Sequence, residues 1–430
     1  MDDAARLPLD RASSDDEIRG VVARWVDDHV PRDWRDAAEH GGHAAIRSVR
    51  SRAAYEAWYP RVAVSGLAVA TWPTAYGGLD LAPEQALVVE SVLAPFNLGR
   101  LNPLGLNSAA PALFAFGTEA QRLRFLPPLV RNEEKWCQLL SEPGAGSDLA
   151  SLATRATLDG EEWVISGQKV WTTWAHVSDF AICLARTDPT VAKRRGLTYF
   201  LVDLHAAGVE VRPLRHIGGE VDFNEVFLDG VRVPDTRRVG AVGEGWRVAG
   251  ATLAGERQMV SGSGSGGVDR IGGSGVERVV RRARELGKTV DPHVRQRLAA
   301  LISEERIRGW TNQRVRAAVR AGATPGPAAS IGKVHQGSLN QRIQLLAADL
   351  LGPGAAAWCA PPVEPGGEHE LEAWSRSMPF EVRGMLRSRA NTIEGGTTEV
   401  NKNIIGEKVL GLPREPDPYV DAPWESVPRS

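Results

Sequence analysis

The residues best suited to bind a flat polar ligand lie between Trp136 and Thr173. A strand-like run ends at Leu140, and a turn with the sequence Ser-Glu-Pro-Gly-Ala-Gly-Ser-Asp follows it at residues 141–148. A second strand-like run ends at Trp171 and Thr173. Glycine lets a ligand approach the backbone closely, and hydroxyls and free amides can hydrogen-bond to it. Together with the indole, these groups predict a wall for a flat ring system that carries a phosphate tail.

Glu256 is the carboxylate whose surroundings best suit proton transfer. It lies in a helical run, and helical spacing puts Leu253, Met259 and Val260 on its side of the helix. Burial on such a face raises the pKa of a carboxylate and makes it a better base. The alternative is a solvated glutamate that pairs with a nearby arginine such as Arg257. Both interpretations stay open from the residues alone.

Three regions of different periodicity must position these residues. Residues 1–133 read as helices, and residues 134–240 as short β-rich runs joined by turns such as the Asp-Gly pairs at 159–160 and 229–230. Residues 241–415 return to helical periodicity, and the proline-rich residues 416–430 are expected to form a flexible tail. The pattern predicts an α+β, mostly helical protein with a central antiparallel β-barrel domain.

Composition excludes several classes of partner and site. The 430-residue chain has a formal net charge of −2, which gives no electrostatic case for nucleic acid. The acidic start lacks the apolar core of a signal peptide, and no apolar run is long enough for a membrane span, so we expect a cytoplasmic protein. Three scattered cysteines and isolated histidines, among them His176 and His216, predict no metal site.

The turn at 141–148, followed by Gly-Gln-Lys-Val-Trp-Thr-Thr at 167–173, resembles the flavin-binding signature of acyl-CoA dehydrogenases. Similar pieces continue along nearly the whole chain, and they are closest to actinobacterial-type members, some of which act on steroid side chains or other branched acyl groups. The resemblance implies an N-terminal helical domain, a central barrel and a C-terminal domain like a four-helix bundle. It also implies FAD as the cofactor, with these residues at the cofactor-binding positions: Leu140, Ser141, Gly146, Ser147, Trp171, Thr173, Thr397 and Glu399.

The implied reaction is α,β-dehydrogenation of an acyl-CoA thioester to the trans-2-enoyl-CoA, in which a glutamate removes the α-proton and the β-hydride passes to FAD. The commoner family pattern carries this base in a Tyr-Glu-Gly-Thr turn, where this chain has Gly395 at the base position and Glu394 one residue earlier. One branch of the family carries the glutamate on an earlier helix, just before an arginine, as Glu256 and Arg257 stand here. The resemblance therefore favours Glu256 as the base, with Glu394 as the alternative, and implies Ser147 and Arg257 as substrate contacts.

The resemblance also implies an electron-transfer flavoprotein as electron acceptor and a homodimer or homotetramer. Two segments depart from the pattern that holds the adenosine end of FAD: Asp349 replaces a glutamine, and Arg284 stands one place from the expected arginine. These departures fit a first alternative, a catalytically impaired or partner subunit of a heteromeric dehydrogenase. A flavin oxidase or monooxygenase of the same fold is the second alternative.

Overall fold

The computed structural model describes residues 5–261, 275–320, 327–358 and 377–428. Its first region is helical, as predicted. The first helix begins after Ser14, whose hydroxyl accepts a hydrogen bond from the Glu17 N–H (3.2 Å). A π-helical turn at Gly105–Ala109 leads directly into one of the later helices. The α-helices of this region are α1 (Asp15–His29), α2 (Arg32–Val49), α3 (Arg52–Trp58), α4 (Pro60–Val64), α5 (Pro83–Leu93), α6 (Ala110–Phe116) and α7 (Glu119–Val130).

The middle region forms one eight-stranded sheet. Its strands are β1 (Trp136–Leu139), β2 (Arg155–Asp159), β3 (Glu162–Thr173), β4 (Phe180–Arg186), β5 (Leu197–Asp203), β6 (Val209–Leu214), β7 (Phe223–Pro234) and β8 (Arg238–Val239). The order is β6-β7-β3-β2-β4-β5-β8, and β1 pairs with β4. The strands β2 and β3 form the predicted hairpin, with Gly160 in the left-handed conformation (φ 66°) that its turn requires.

Two details of the sheet differ from the prediction. Most neighbours are antiparallel, but β1 pairs with β4 in parallel and β2 makes a parallel bridge to β4, so the sheet is mixed. The Asp-Gly pair at 229–230 lies inside the long strand β7 and does not end it. The register between β3 and β7 shifts near this point, between Ile165 and Gly167, so a bulge absorbs the local bend.

The third region returns to helices, as predicted. Its described helices are α8 (Gly245–Ser261), α9 (Val276–Glu285), α10 (Pro292–Arg320), α11 (Ala329–Asp349), α12 (Phe380–Arg387) and α13 (Thr398–Ile404). Asp291 opens α10, where its carboxylate accepts a hydrogen bond from the His293 N–H (2.8 Å). Apolar faces of α9, α10 and α11 form a separate core around Val279, Leu301 and Ile343. The sheet and the N-terminal helices share a larger core that also includes Val248 of α8.

The proline-rich C-terminal segment does not behave as the sequence suggested. Trp424 is only 9% exposed, and its backbone N–H donates to the Val191 carbonyl (2.9 Å) in the loop between β4 and β5. The indole N–H donates to the carbonyl of Ser151 (3.1 Å). The segment predicted to be a flexible tail is therefore docked on the sheet domain at Trp424, whereas most of the residues before it are exposed. Within the described residues, no helix is long and apolar enough to cross a membrane.

Candidate active site

The ends of β1 and β3 lie side by side and form the predicted wall. The Val170 N–H donates to the Ser141 carbonyl (2.9 Å), which joins the two ends. Trp171 lies at a second register shift of β3 and has a left-handed backbone (φ 59°). Its indole turns outward, is 57% exposed and meets the ring of Phe223 edge-on (5.7 Å). A large exposed ring in a costly backbone conformation is typical of a surface that a ligand covers.

The turn after Ser141 leaves space for a ligand. Glu142 and Ala145 each donate a backbone N–H to the other's carbonyl (3.0 Å for both bonds) and close the turn. A Cβ built on Gly144 or Gly146 would meet nothing within 4 Å, and neither glycine has a left-handed φ. Packing and backbone conformation do not require glycine at these two positions. Close approach of a ligand to the backbone would require it. The turn therefore fits the phosphate chain of a flavin nucleotide.

A buried ion pair that the sequence did not single out holds this turn in place. The Lys169 ammonium is fully buried and donates to the Glu142 carboxylate (2.8 Å), the Leu140 carbonyl (3.0 Å) and the Leu184 carbonyl (2.9 Å). The same carboxylate accepts the Ala153 N–H (2.6 Å) and the neighbouring amide of residue 154 (2.9 Å). Burial acts to raise the pKa of Glu142, but the ammonium and these amides hold it below its ordinary value.

Lys169 could have been found from strand periodicity. Trp163 and Ile165 are buried positions of β3, and period-two alternation puts residue 169 on the same face. A lysine on a buried face needs a carboxylate partner. The motif offers one in Glu142, 27 residues away in sequence.

Arg387 of α12 connects the C-terminal region to this wall. Its guanidinium lies over the ring of Phe223 (5.6 Å), the same ring that contacts Trp171. It also donates to one carboxylate oxygen of Glu394 (3.0 Å). The segment that follows, which includes the predicted flavin contacts Thr397 and Glu399 at the start of α13, is thereby brought towards the indole side of the wall.

In this segment, Thr397 and Glu399 each have a structural role at the start of α13. The Thr397 hydroxyl accepts the Val400 N–H (3.1 Å) and caps α13, which alone accounts for a threonine here. Glu399 is exposed in the first turn of that helix, where a carboxylate suits the helix dipole. Gly395 and Gly396 both have left-handed backbones (φ 63° and 83°).

Glu394, the alternative base, is engaged at both oxygens. Arg387 holds one oxygen, and the Asn391 side-chain amide donates to the other (2.8 Å). Asn391 in turn accepts from the Asn340 amide (2.7 Å), so the carboxylate belongs to a polar network between α11 and the loop. An arginine and an amide of the same chain therefore occupy both oxygens of Glu394.

The side chains of Glu256 and Arg257 lie outside the described residues, but the helix that carries them is firmly placed. Thr252, one turn earlier in α8, hydrogen-bonds to the Tyr199 hydroxyl (2.7 Å) and donates to the Ser108 carbonyl (3.1 Å). Gly255 packs so closely against the Asn107 carbonyl that any Cβ would clash. The π-helical turn that supplies these carbonyls, which the sequence did not reveal, fixes the path of α8 up to residue 255.

His216, Glu220 and Asp222 place one potential metal-ligating atom each within 4.8 Å of one another. The Gly218 N–H donates to His216 Nδ1 (3.0 Å), so in the neutral ring the proton is on Nε2, which faces the two carboxylates at 3.4 and 3.5 Å. A protonated nitrogen is not a metal ligand. The neighbouring His216 lowers the pKa of Asp222.

Asp349, at the departure near the adenosine end, forms an ion pair with Arg297 of α10 (2.7 Å). Arg284 is exposed at the end of α9. Asp349 therefore has a charged partner in its own chain. A glutamine at this position is neutral and would not form this ion pair.

Models of the acyl-CoA dehydrogenase N-terminal, middle and C-terminal domains match residues 12–133, 137–231 and 243–410. The chain is similar to acyl-CoA dehydrogenase IpdE1 of Mycobacterium tuberculosis, with 37% identity over 412 residues that cover 93% of this chain and 98% of that protein.

Two solved structures have the same fold over nearly the whole chain. One is the Tcur3481-Tcur3483 steroid ACAD, with a TM-score of 0.69, 28% identity and coverage of 96% of this chain and 100% of that one. The other is the ChsE4-ChsE5 complex of Mycobacterium tuberculosis, with a TM-score of 0.68, 26% identity and coverage of 94% and 100%. With the three domain matches and the flavin wall, these similarities show that the chain belongs to the acyl-CoA dehydrogenase family and is an FAD-dependent oxidoreductase.

Proposed function

We propose that the protein dehydrogenates an acyl-CoA thioester to the trans-2-enoyl-CoA and that Glu256 removes the α-proton. The observation that carries this assignment is the engagement of Glu394 by Arg387 and Asn391. The other glutamate that the sequence offers as base is thus tied into a structural network. Glu256, immediately before Arg257, is the carboxylate that remains for proton transfer.

FAD supplies the hydride acceptor of the reaction. The chain itself must hold the thioester, exclude water and place a carboxylate beside the α-carbon. An α-proton of a thioester is weakly acidic, so the base needs a water-poor setting that raises its pKa. The packing of α8 against the π-helical turn through Thr252 and Gly255 supports the proposal, because it fixes the helix that carries Glu256.

Ser147 and Arg257 are the proposed substrate contacts. Ser147 is exposed on the turn beside Gly146, where no protein atom competes for the space. Its hydroxyl can therefore hydrogen-bond to a ligand that lies along the turn. The other proposed cofactor contacts of the wall are Leu140, Ser141, Trp171 and Thr173.

A branched or steroid-derived acyl group is the proposed substrate class. One solved relative is named a steroid ACAD. Gly395 stands at the position where the commoner family pattern has glutamate, so the loop beside Arg387 offers less side-chain bulk to a large acyl group. A panel of straight-chain, branched and steroid side-chain CoA esters tests this, with anaerobic bleaching of the flavin absorbance as the readout.

The same assay tests the base. We expect Glu256→Gln to retain FAD and to lose bleaching by at least about 100-fold, as removal of a general base usually does. Glu394→Gln is the matched control, and it should still bleach. Normal bleaching by Glu256→Gln would assign the proton transfer to another group.

An electron-transfer flavoprotein is the proposed acceptor of the electrons. The proposed assembly is a cytoplasmic homo-oligomer or heteromer. A heteromer is supported by the ChsE4-ChsE5 and Tcur3481-Tcur3483 structures, whose names each pair two different proteins. Measuring FAD bound by the chain expressed alone separates a complete enzyme from a partner subunit. Fast reoxidation of the reduced enzyme by oxygen would favour the oxidase or monooxygenase alternative.

A further inference from the structure

The chain continues past residue 410, where the C-terminal family domain ends, and returns to the sheet domain. We call residues 411–428 the C-terminal strap. Trp424 anchors it through the hydrogen bonds to Val191 and Ser151, and the Arg186 guanidinium stacks on the indole (4.2 Å). The Glu425 N–H donates to the Pro189 carbonyl (3.1 Å). The strap therefore spans from α13 to the loop between β4 and β5.

A cavity of about 340 Å³ lies where the strap, α13 and this loop meet. Arg194 of the loop, Lys408 after α13 and Arg414 of the strap line it, together with Asn403 and a single acidic residue, Glu407. In the described part of the chain, none of the three cations forms an ion pair. Its volume falls within the range of small-molecule sites, about 300–1,000 Å³, and its excess positive charge favours an anion.

This cavity is close to the flavin turn. Lys193, next to Arg194, forms an ion pair with Asp148 at the end of that turn (2.7 Å). On the other side, Thr397 lies six residues before Asn403, a rise of about 9 Å along a helix. A substrate whose acyl end reaches the flavin wall can therefore place its charged end here.

We propose that the C-terminal strap completes a binding site for the phosphate groups of coenzyme A by presenting Arg414 beside Arg194 and Lys408. The inference rests on the proposed function for its ligand. Arginine binds phosphate through paired N–H donors. Trp424 is not among the residues that line the cavity, but it holds the strap that contains Arg414.

A double-mutant cycle on the full-length holoenzyme tests the strap, with the dissociation constant for free coenzyme A as the readout. Arg414→Ala and Trp424→Ala should each weaken binding by about tenfold, which corresponds to 1.4 kcal/mol. The double variant should bind coenzyme A no more weakly than Trp424→Ala alone, because a strap that has detached from the sheet domain no longer places Arg414 in the cavity. Lys402→Ala removes an exposed lysine of α13 outside the cavity and should change nothing.

Two further measurements keep the test decisive. Arg414→Glu should weaken the binding of coenzyme A by more than tenfold, while pantetheine thioesters, which lack the nucleotide phosphates, should bind as they do to the wild type. This variant leaves the Trp424 anchor intact, so it still tests the proposal if Trp424→Ala fails to fold. The proposal is overturned if the effects of Arg414→Ala and Trp424→Ala on the dissociation constant multiply in the double variant. It is also overturned if Arg414→Glu weakens the binding of pantetheine thioesters as much as that of coenzyme A. Failure of every acyl-CoA to bleach the flavin refutes the proposed function instead, since binding of free coenzyme A is measured independently.

Discussion

Replacement of Lys169 by methionine is the most direct test of how the flavin turn is held. The change removes three hydrogen bonds from a fully buried ammonium and strands the Glu142 carboxylate in the interior. Removing one partner of a buried pair costs about 3–5 kcal/mol. Because the Leu140 and Leu184 carbonyls also lose their donor, we expect a cost within this range. The double variant Lys169→Met/Glu142→Gln should be less destabilised, since it leaves no unpaired charge.

The effect should depend on pH in a defined direction. The folded pKa of Glu142 lies below its ordinary value. Its contribution to stability is therefore present above the unfolded pKa, about 4.3, and is lost as the pH falls through the folded pKa. Without Lys169, burial favours the protonated acid. The difference in unfolding free energy between wild type and Lys169→Met should be largest near pH 7 and should shrink as the pH falls, first because the buried carboxylate of the variant takes up a proton and then because the wild-type pair is protonated.

The assay is urea unfolding followed by far-UV circular dichroism, with bound FAD measured by absorbance before each titration. Lys193→Met is the matched control, because its ion pair with Asp148 is at the surface, where the aspartate side chain is 59% exposed. It should cost no more than about 1 kcal/mol. If Lys169→Met were as stable as this control at pH 7 and kept its FAD, the buried pair would not hold the turn.

Three other changes have clear expected outcomes. Gly146→Val should lower bound FAD by at least about tenfold without changing the melting temperature of the apoprotein, because its side chain enters open space beside the turn; full occupancy by FAD would contradict a ligand there. Glu394→Gln should cost about 1 kcal/mol or less in urea unfolding, because its ion pair with Arg387 is partly exposed; loss of flavin bleaching would identify it as the base after all. Tyr199→Phe should cost about 1 kcal/mol, since a buried hydroxyl bonded to Thr252 is lost; equal urea midpoints would show that Thr252 finds another partner.

Sequence periodicity predicted the elements better than it predicted their contacts. Helical and strand periods located the three regions, and local chemistry located the 159–160 turn. Local patterns carry no information on pairing between distant segments. The parallel contact of β1 with β4 therefore did not emerge.

The docking of the C-terminal segment at Trp424 could not be predicted for a similar reason. Proline-rich composition indicates only that a segment lacks regular structure. It does not exclude docking by one large side chain, and Trp424 binds more than 230 residues away in sequence, at Val191 and Ser151. The prediction of Glu256 as base stays a prediction, since its side chain lies outside the described residues.

The pairing of β1 with β4 has a consequence for how the protein folds. Trp136 lies beside Phe180, so the edge of the cofactor wall is built from segments 44 residues apart. Contacts between distant segments form slowly, because a long loop must close first. The apoprotein should therefore acquire its N-terminal helices well before it acquires affinity for FAD, and in refolding experiments the recovery of flavin binding should lag behind the recovery of helical signal.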